Sequence, residues 1–204
     1  MNRRDWMRDA AAPVLGFAGL LLWFRAHAGI GREGPATASP ALDRRGLVRP
    51  PGALAEEEFL ARCIRCQRCG EACESGAIRL IGADGGNRAG TPRIVPELRG
   101  CDLCLACGPA CPVGALVVLD DVRKVRMGTA VVDERLCVSH NGTGICGACF
   151  TVCPLRGHAI TQGLHNRPVV HPDACVGCGL CEEACIVKGD RAIRVFNPGR
   201  RACA

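Results

Sequence analysis

Sixteen of the 17 cysteines in this 204-residue chain fall into four dense sets of four, and that grouping restricts the fold more than any other feature. The sets are Cys63, Cys66, Cys69 and Cys73; Cys101, Cys104, Cys107 and Cys111; Cys137, Cys146, Cys149 and Cys153; and Cys175, Cys178, Cys181 and Cys185. The first, second and fourth share the spacing C-x2-C-x2-C-x3-C, and the second runs on into Pro112. Three thiols separated by two residues can curl round one compact iron–sulfur body. The fourth, one helical turn later, points away and ligates a second body. One such run therefore demands a partner run, and here the motif recurs as an internal repeat. The spacing predicts sixteen iron ligands and four [4Fe–4S] clusters.

Other uses of cysteine fit less well. The thiols are grouped rather than scattered and their number is odd, which opposes a disulfide framework. Zinc sites usually join pairs of C-x2-C through longer loops. Large side chains are scarce: there is no Tyr, both Trp (Trp6 and Trp23) lie in the first 24 residues, and beyond residue 28 only Phe59, Phe150 and Phe196 remain. Such a chain cannot fill a sizeable conventional core, so clusters would take its place and their binding would be coupled to folding. The formal charge of +6 falls to +4 (22 basic against 18 acidic residues) when residues 1–28 are removed. Four clusters at roughly −2 each would turn that into roughly −4. The basic balance is no sign of nucleic-acid binding, and the arginines read as solvated surface.

The first residues read as an address. Arg3 and Arg4 precede Trp6, an apolar stretch of 15 residues follows over Ala10–Phe24, and Ala26-His-Ala28 has the form of a cleavage site. This resembles a twin-arginine (Tat) signal over 1–28, with Trp6 in place of the commoner Phe. The apolar stretch falls short of the roughly 20 residues of a spanning helix; an uncleaved anchor is the other reading. Clusters are assembled in the cytoplasm, so a protein exported with them must cross already folded. The address and the cysteine runs thus explain one another.

Residues 29–52, with Pro35, Pro40, Pro50 and Pro51 and no apolar periodicity, read as a linker. Residues 53–61 hold strong helix formers with Glu56, Glu57 and Glu58 in the early turns, which predicts a short helix leading into the first run. β-prone segments follow each fourth cysteine, at 77–81, 115–119, 159–161 and 192–196. Others precede sets two, three and four, at 93–95, 129–132 and 167–170. Each unit reads strand, cysteine loop, one-turn helix, turn, strand. The expected fold class is α+β, resembling two bacterial ferredoxins in tandem: a first 2[4Fe–4S] unit over 53–124 and a second over 125–204, with short β-hairpins and short helices.

The sets depart from one another in places. Pro follows the fourth cysteine at Pro112 and Pro154 but is replaced by Glu74 and Ile186 in the outer sets. Pro fixes the turn and is not a ligand, so binding should survive. The third set has eight residues between Cys137 and Cys146, including His140. That loop reads as a tolerated surface insertion or as a docking element, and Cys137 already supplies the ligand that His140 could offer. Cys203 has no run around it. Two pairings stay open: tandem, in which sets one and two exchange their fourth cysteines and sets three and four do likewise, and nested, in which set one faces set four and set two faces set three.

Full cysteine ligation leaves no iron open to a substrate. The five histidines (27, 140, 158, 165 and 171) have no ligand spacing, and neither a nucleophile–base arrangement nor a nucleotide loop is visible. No catalytic residue is assigned. A chain with several redox centres and no substrate site reads as an electron carrier rather than an enzyme. The Tat-like start, Arg49-Pro-Pro-Gly-Ala53, Glu56-Glu-Glu-Phe59 and the expanded third run together resemble the NapG/MauN family of ferredoxin-type proteins. That resemblance implies a periplasmic carrier between a membrane-bound, quinol-oxidising ferredoxin-like protein and a periplasmic oxidoreductase of a nitrate or methylamine system. The other function class is a maturation factor for a periplasmic redox enzyme.

Overall fold

Short runs of β-branched residues pair into three two-stranded antiparallel sheets. Strand β1 (Ile78–Leu80) pairs with β2 (Pro92–Ile94), β3 (Thr129–Val132) with β6 (Ile193–Phe196), and β4 (Ile160–Gln162) with β5 (Pro168–Val170). In the β3–β6 pair, Ala130 lies opposite Val195 and Val132 opposite Ile193. Ala130, Ile193 and Val195 are buried while Val131 faces out, the period-two alternation of a half-buried sheet. The computed structural model describes residues 46–197. The expected signal over 1–28, the greater part of the expected linker, and Cys203 lie outside the described residues.

The end of that linker is a correction. Residues 46–51 are buried, and residues 52–54 form the outer strand of the first half. Ala53 bridges Leu116; the Leu54 amide donates to the Ala115 carbonyl at 3.2 Å, and the Val117 amide to the Gly52 carbonyl at 2.7 Å. Val48 bridges Ile94, the Ile94 amide donating to the Val48 carbonyl at 2.8 Å, and since Pro50 and Pro51 have no N–H to donate, pairing with 115–117 begins only after them. A Cβ on Gly52, which sits at φ 76°, would lie 2.1 Å from the Val117 carbonyl oxygen. The β-prone stretch expected over 115–119 thus contributes one bridge rather than a full strand. In each half, an outer pair (52–54 with 115–117, and β3 with β6) encloses an inner hairpin (β1–β2, and β4–β5).

Helix α1 (Glu56–Arg62) has three acidic residues in its first turn and Arg62 in its last, complementing its dipole, and buries Phe59. Three one-turn helices, α2 (Arg68–Glu71), α3 (Ala148–Thr151) and α4 (Leu180–Glu183), precede fourth cysteines. The equivalent residues in set two form turns only, because Pro109 lacks the amide a helix would use there. The closing bond nevertheless recurs in all four sets: Cys73 N to Gly70 O, Cys111 N to Gly108 O, Cys153 N to Phe150 O and Cys185 N to Glu182 O, at 3.0–3.2 Å.

One core of buried side chains includes Val48, Ile94 and Leu103 from before residue 124 and Met127, Ile160 and Val195 from after it. The repeat boundary at 124/125 therefore does not separate two cores. A smaller cluster joins Phe59, Ala115 and Leu116 to Cys69 and Cys107. Among the described residues, no helix is long and apolar enough to cross a membrane.

Candidate metal centres

The cysteine loops owe their curl to backbone that turns the unusual way. Arg65 and Gln67 in set one, Leu103 and Leu105 in set two, and Gly177 and Gly179 in set four all have φ between 58° and 83°. These are corresponding positions, the residues just before and just after the second cysteine. Glycine adopts this region freely, whereas each of the four non-glycine residues stores on the order of 1–3 kcal/mol, a strain found where function over-determines the backbone. In set four the glycines also meet a steric demand. A Cβ on Gly177 would lie 2.5 Å from the Gly128 backbone, and one on Gly179 2.6 Å from Pro96 Cβ.

The curled loops bring the thiols together in four groups of four, and the grouping is the tandem one. Burial pushes Cys69 up, and the nearby Cys63, Cys111 and Cys66 add to the effect, which places those four in one group (site 1). Cys107 lies near Cys69 of site 1 and also near Cys104 and Cys73, and Cys101 lies near Cys107; Cys73, Cys101, Cys104 and Cys107 form the next group (site 2). Cys137, Cys146, Cys149 and Cys185 line one apolar hollow (site 3). Cys153, Cys175, Cys178 and Cys181 line another (site 4). In this arrangement the fourth cysteine of each set lies with the neighbouring set of the same half, as a tandem pairing requires. Among the described residues, no three His, Cys, Asp or Glu side chains converge on a point where one metal ion would sit; at sites 3 and 4 the cysteines line a hollow instead.

Burial makes these thiols hard to ionise by themselves. It pushes Cys101 and Cys107 up to about 12, and Cys69, Cys149 and Cys178 up to about 11, with neighbouring cysteines adding to the effect. Cys181 is held well above the usual thiol range for the same reasons. Working the other way, the amides of Gly70, Leu103, Phe150, Leu155 and Leu180 favour the thiolates of Cys69, Cys101, Cys149, Cys153 and Cys178. The Leu103 amide lies 3.4 Å from Cys101 Sγ, and the Ala130 amide 3.4 Å from Cys175 Sγ. Four soft donors around an apolar hollow, with N–H groups aimed at sulfur, fit a [4Fe–4S] cluster, whose iron holds thiolates deprotonated.

Set three reaches the same geometry without left-handed residues at these positions, using its longer loop. Ser139, buried, donates through Oγ to the Cys146 carbonyl at 3.2 Å and accepts from the Cys146 amide at 2.9 Å. Asn141 closes a turn onto the Thr143 amide. His140 Nε2 lies 3.1 Å from the Pro168 carbonyl, so it braces the loop against the β4–β5 hairpin and is not among the grouped thiols. The braced loop leaves Ile145 73 % exposed beside Cys146.

Two models described as 4Fe-4S dicluster domain match the chain, one over residues 62–115 and again over 100–157, the other over 129–186. The methylamine utilization ferredoxin-type protein MauM of Paracoccus denitrificans is 40% identical, with 98% of this chain and 92% of that protein covered. The chain belongs to the MauM/NapG family of ferredoxin-type proteins. MauM of Methylorubrum extorquens is 44% identical over 73% of this chain and 72% of its own length. The ferredoxin-type protein NapG of Haemophilus influenzae is 35% identical, covering 96% of this chain and 71% of NapG. The resemblance read from the motifs thus holds, the methylamine-utilization relatives being MauM proteins. For this family member the structure adds what the motifs left out: the left-handed positions, the Ser139 brace, and the buried Arg49 that ties residues 46–52 to α1. The Arg49–Glu56 spacing within a Pro-Pro-Gly context was the one signal for the last of these.

Proposed function

We propose that the chain is an iron–sulfur electron carrier holding four [4Fe–4S] clusters through its sixteen grouped cysteines, in the tandem arrangement of sites 1–4. The observation that carries this reading is the collection of those cysteines into four groups of four, each completed by a ligand from the neighbouring run. A cluster bound at each site would supply reversible one-electron chemistry. The chain's own residues bury the sulfurs, direct amides at them and so tune the potential, and keep solvent from sites 3 and 4 more fully than from sites 1 and 2, where Cys66 and Cys104 are exposed.

The proposal extends to a cellular setting, for which the twin-arginine-like first residues are the support. The carrier acts in the periplasm after twin-arginine export directed by residues 1–28. It receives electrons from a membrane-bound, quinol-oxidising ferredoxin-like protein and delivers them to a periplasmic oxidoreductase of a methylamine or nitrate system; the ferredoxin-type names of the relatives support the carrier role, and the methylamine-utilization name of MauM supports the first of those settings. Iron and sulfide analysis of anaerobically purified protein tests the cofactors: about sixteen of each per chain are expected, four for each of four sites. Zinc with little iron would refute them. Replacing Arg3 and Arg4 by Lys should abolish export. A deletion strain supplied with mature, purified partner oxidoreductase separates carrier from maturation factor; electron flow that is restored without this protein rules out the carrier.

A further inference from the structure

The two halves meet at candidate ligands. The Cys101 amide donates to the Cys178 carbonyl at 2.7 Å, joining a site 2 residue to a site 4 residue by one hydrogen bond. The approach depends on Gly100, because a Cβ there would lie 2.6 Å from the Leu180 amide nitrogen and 2.8 Å from the Gly179 carbonyl carbon. Glu183, on α4, clamps the same point from the second half. Its carboxylate accepts from the Gly100 amide at 2.7 Å and from Arg99 at 3.2 Å. Within each half no such seam is needed, since Cys69 and Cys73, Cys107 and Cys111, Cys149 and Cys153, and Cys181 and Cys185 each link two sites through one turn of chain.

We propose that the Gly100–Cys101/Cys178 seam is the crossing point between the halves, so that the sites form one series in the order 1, 2, 4, 3. This rests on the carrier reading above. With clusters bound, Cys101 and Cys178 would carry one electron across the seam from site 2, which would be oxidised, to site 4, which would be reduced, with no proton moved and no bond made or broken. Sites 1 and 3 are then the ends. Site 1 opens to solvent at Cys66, as site 2 does at Cys104, and site 3 is flanked by the exposed Ile145 and Ile186, so it is the series and not exposure alone that makes sites 1 and 3 its ends. Gly100 and Glu183 are positioning residues, acting only through the two cysteines they hold together.

The test uses the full-length four-cluster protein with two substitutions, Gly100→Ala, which inserts an atom into the seam, and Glu183→Ala, which removes the clamp and inserts nothing. Each is given a sub-stoichiometric reducing pulse from photoreduced deazaflavin and followed by freeze-quench EPR. Iron content and deuterium exchange of the peptide containing Cys101 are measured in parallel. In the parent protein the reduced-cluster signals should reach their final distribution in one phase. In both variants a second, slower phase should appear at unchanged iron content, with faster exchange at Cys101. A single phase in both variants at full iron overturns the inference. Loss of iron from Glu183→Ala also overturns it, showing the seam to be a support for the sites. A parent protein short of about sixteen irons would instead count against the carrier reading.

Discussion

Arg49 is the side chain whose removal should cost the most outside the cysteines. It is fully buried, and its guanidinium uses nearly every donor it has. Nε and Nη2 make a two-pronged pair with Glu56 at 3.0 and 2.6 Å, Nη1 donates to Thr91 Oγ1 at 2.8 Å and to the Pro92 carbonyl at 2.7 Å, and the plane lies 4.5 Å from the Phe59 ring centroid. Phe59 in turn packs with Cys69 and Cys107, members of sites 1 and 2. Arg49 thus latches residues 46–54 over the first pair of sites. Breaking a buried ion pair by removing one partner typically costs 3–5 kcal/mol, because the other is left uncompensated. Here Glu56 retains Arg88 at 3.3 Å and some solvent, which favours the lower end, and the lost bond to the Pro92 carbonyl partly offsets that relief. For Arg49→Met we expect about 3 kcal/mol, or roughly a hundredfold.

Unfolding with loss of clusters is irreversible, so the assay is a rate. The holoprotein is mixed anaerobically with guanidinium and the bleaching of cluster absorbance is followed. If the latch opens before the unfolding barrier, the whole difference shows in that rate. Arg49→Met should bleach in two phases, the fast one belonging to sites 1 and 2 and accelerated about a hundredfold. Arg49→Lys, which keeps the charge but not the fork, should fall between. An acceleration of less than about threefold, under roughly 0.7 kcal/mol, would refute the latch, as would a single phase in which all sites bleach together.

Further substitutions test the sites themselves. Gln67→Gly relieves a left-handed residue at an exposed position and should stabilise the protein by about 1 kcal/mol, seen as slower bleaching. Gly177→Ala should do the opposite, lowering the iron content of the second half, because its Cβ would meet the Gly128 backbone at 2.5 Å. Cys104→Ala should lower iron by up to about four atoms, one cluster, while leaving the sites of the second half loaded. Removing iron with a chelator after oxidation should unfold residues 46–124 first, measured by hydrogen exchange, since four strained residues there (Arg65, Gln67, Leu103 and Leu105) lose what holds them.

The sequence spoke most clearly where chemistry sets the spacing. The four runs, the short hairpins after the first and third of them and α1 were readable, because thiol spacing and β-branched alternation are local properties. The first outer strand was not. It occupies Gly52–Leu54 directly after Arg49-Pro-Pro, and a strand that makes one bridge has no alternation to detect. Arg49 read as part of a polar linker because its burial depends on partners far along the chain, Thr91 and Pro92, and its nearer partner Glu56 sits among acidic residues that read as helix-start charges. The choice between tandem and nested pairing was equally closed to inspection, since gaps of similar length between the runs permit both.

The same packing explains why the tandem arrangement forms a single body. A single bacterial-type unit closes its outer strand pair over its own two clusters, and two such units need not touch. Here the outer strands of the second half are entered through Met127, whose amide bonds to the Val176 carbonyl at 3.0 Å, and Gly128, whose backbone lies against Gly177. That contact fixes where set four sits, and set four is what meets Gly100 and Cys101. Two glycines, Gly100 against Leu180 and Gly179 against Pro96, leave out a side chain where the halves meet, while Gly128 and Gly177 do so where backbone approaches backbone inside the second half. Enlarging Gly100 or Gly179 should disturb both halves and enlarging Gly128 or Gly177 the second half first, whereas enlarging Gly76 or Gly142, which have nothing within 4 Å, should strain only the local turn.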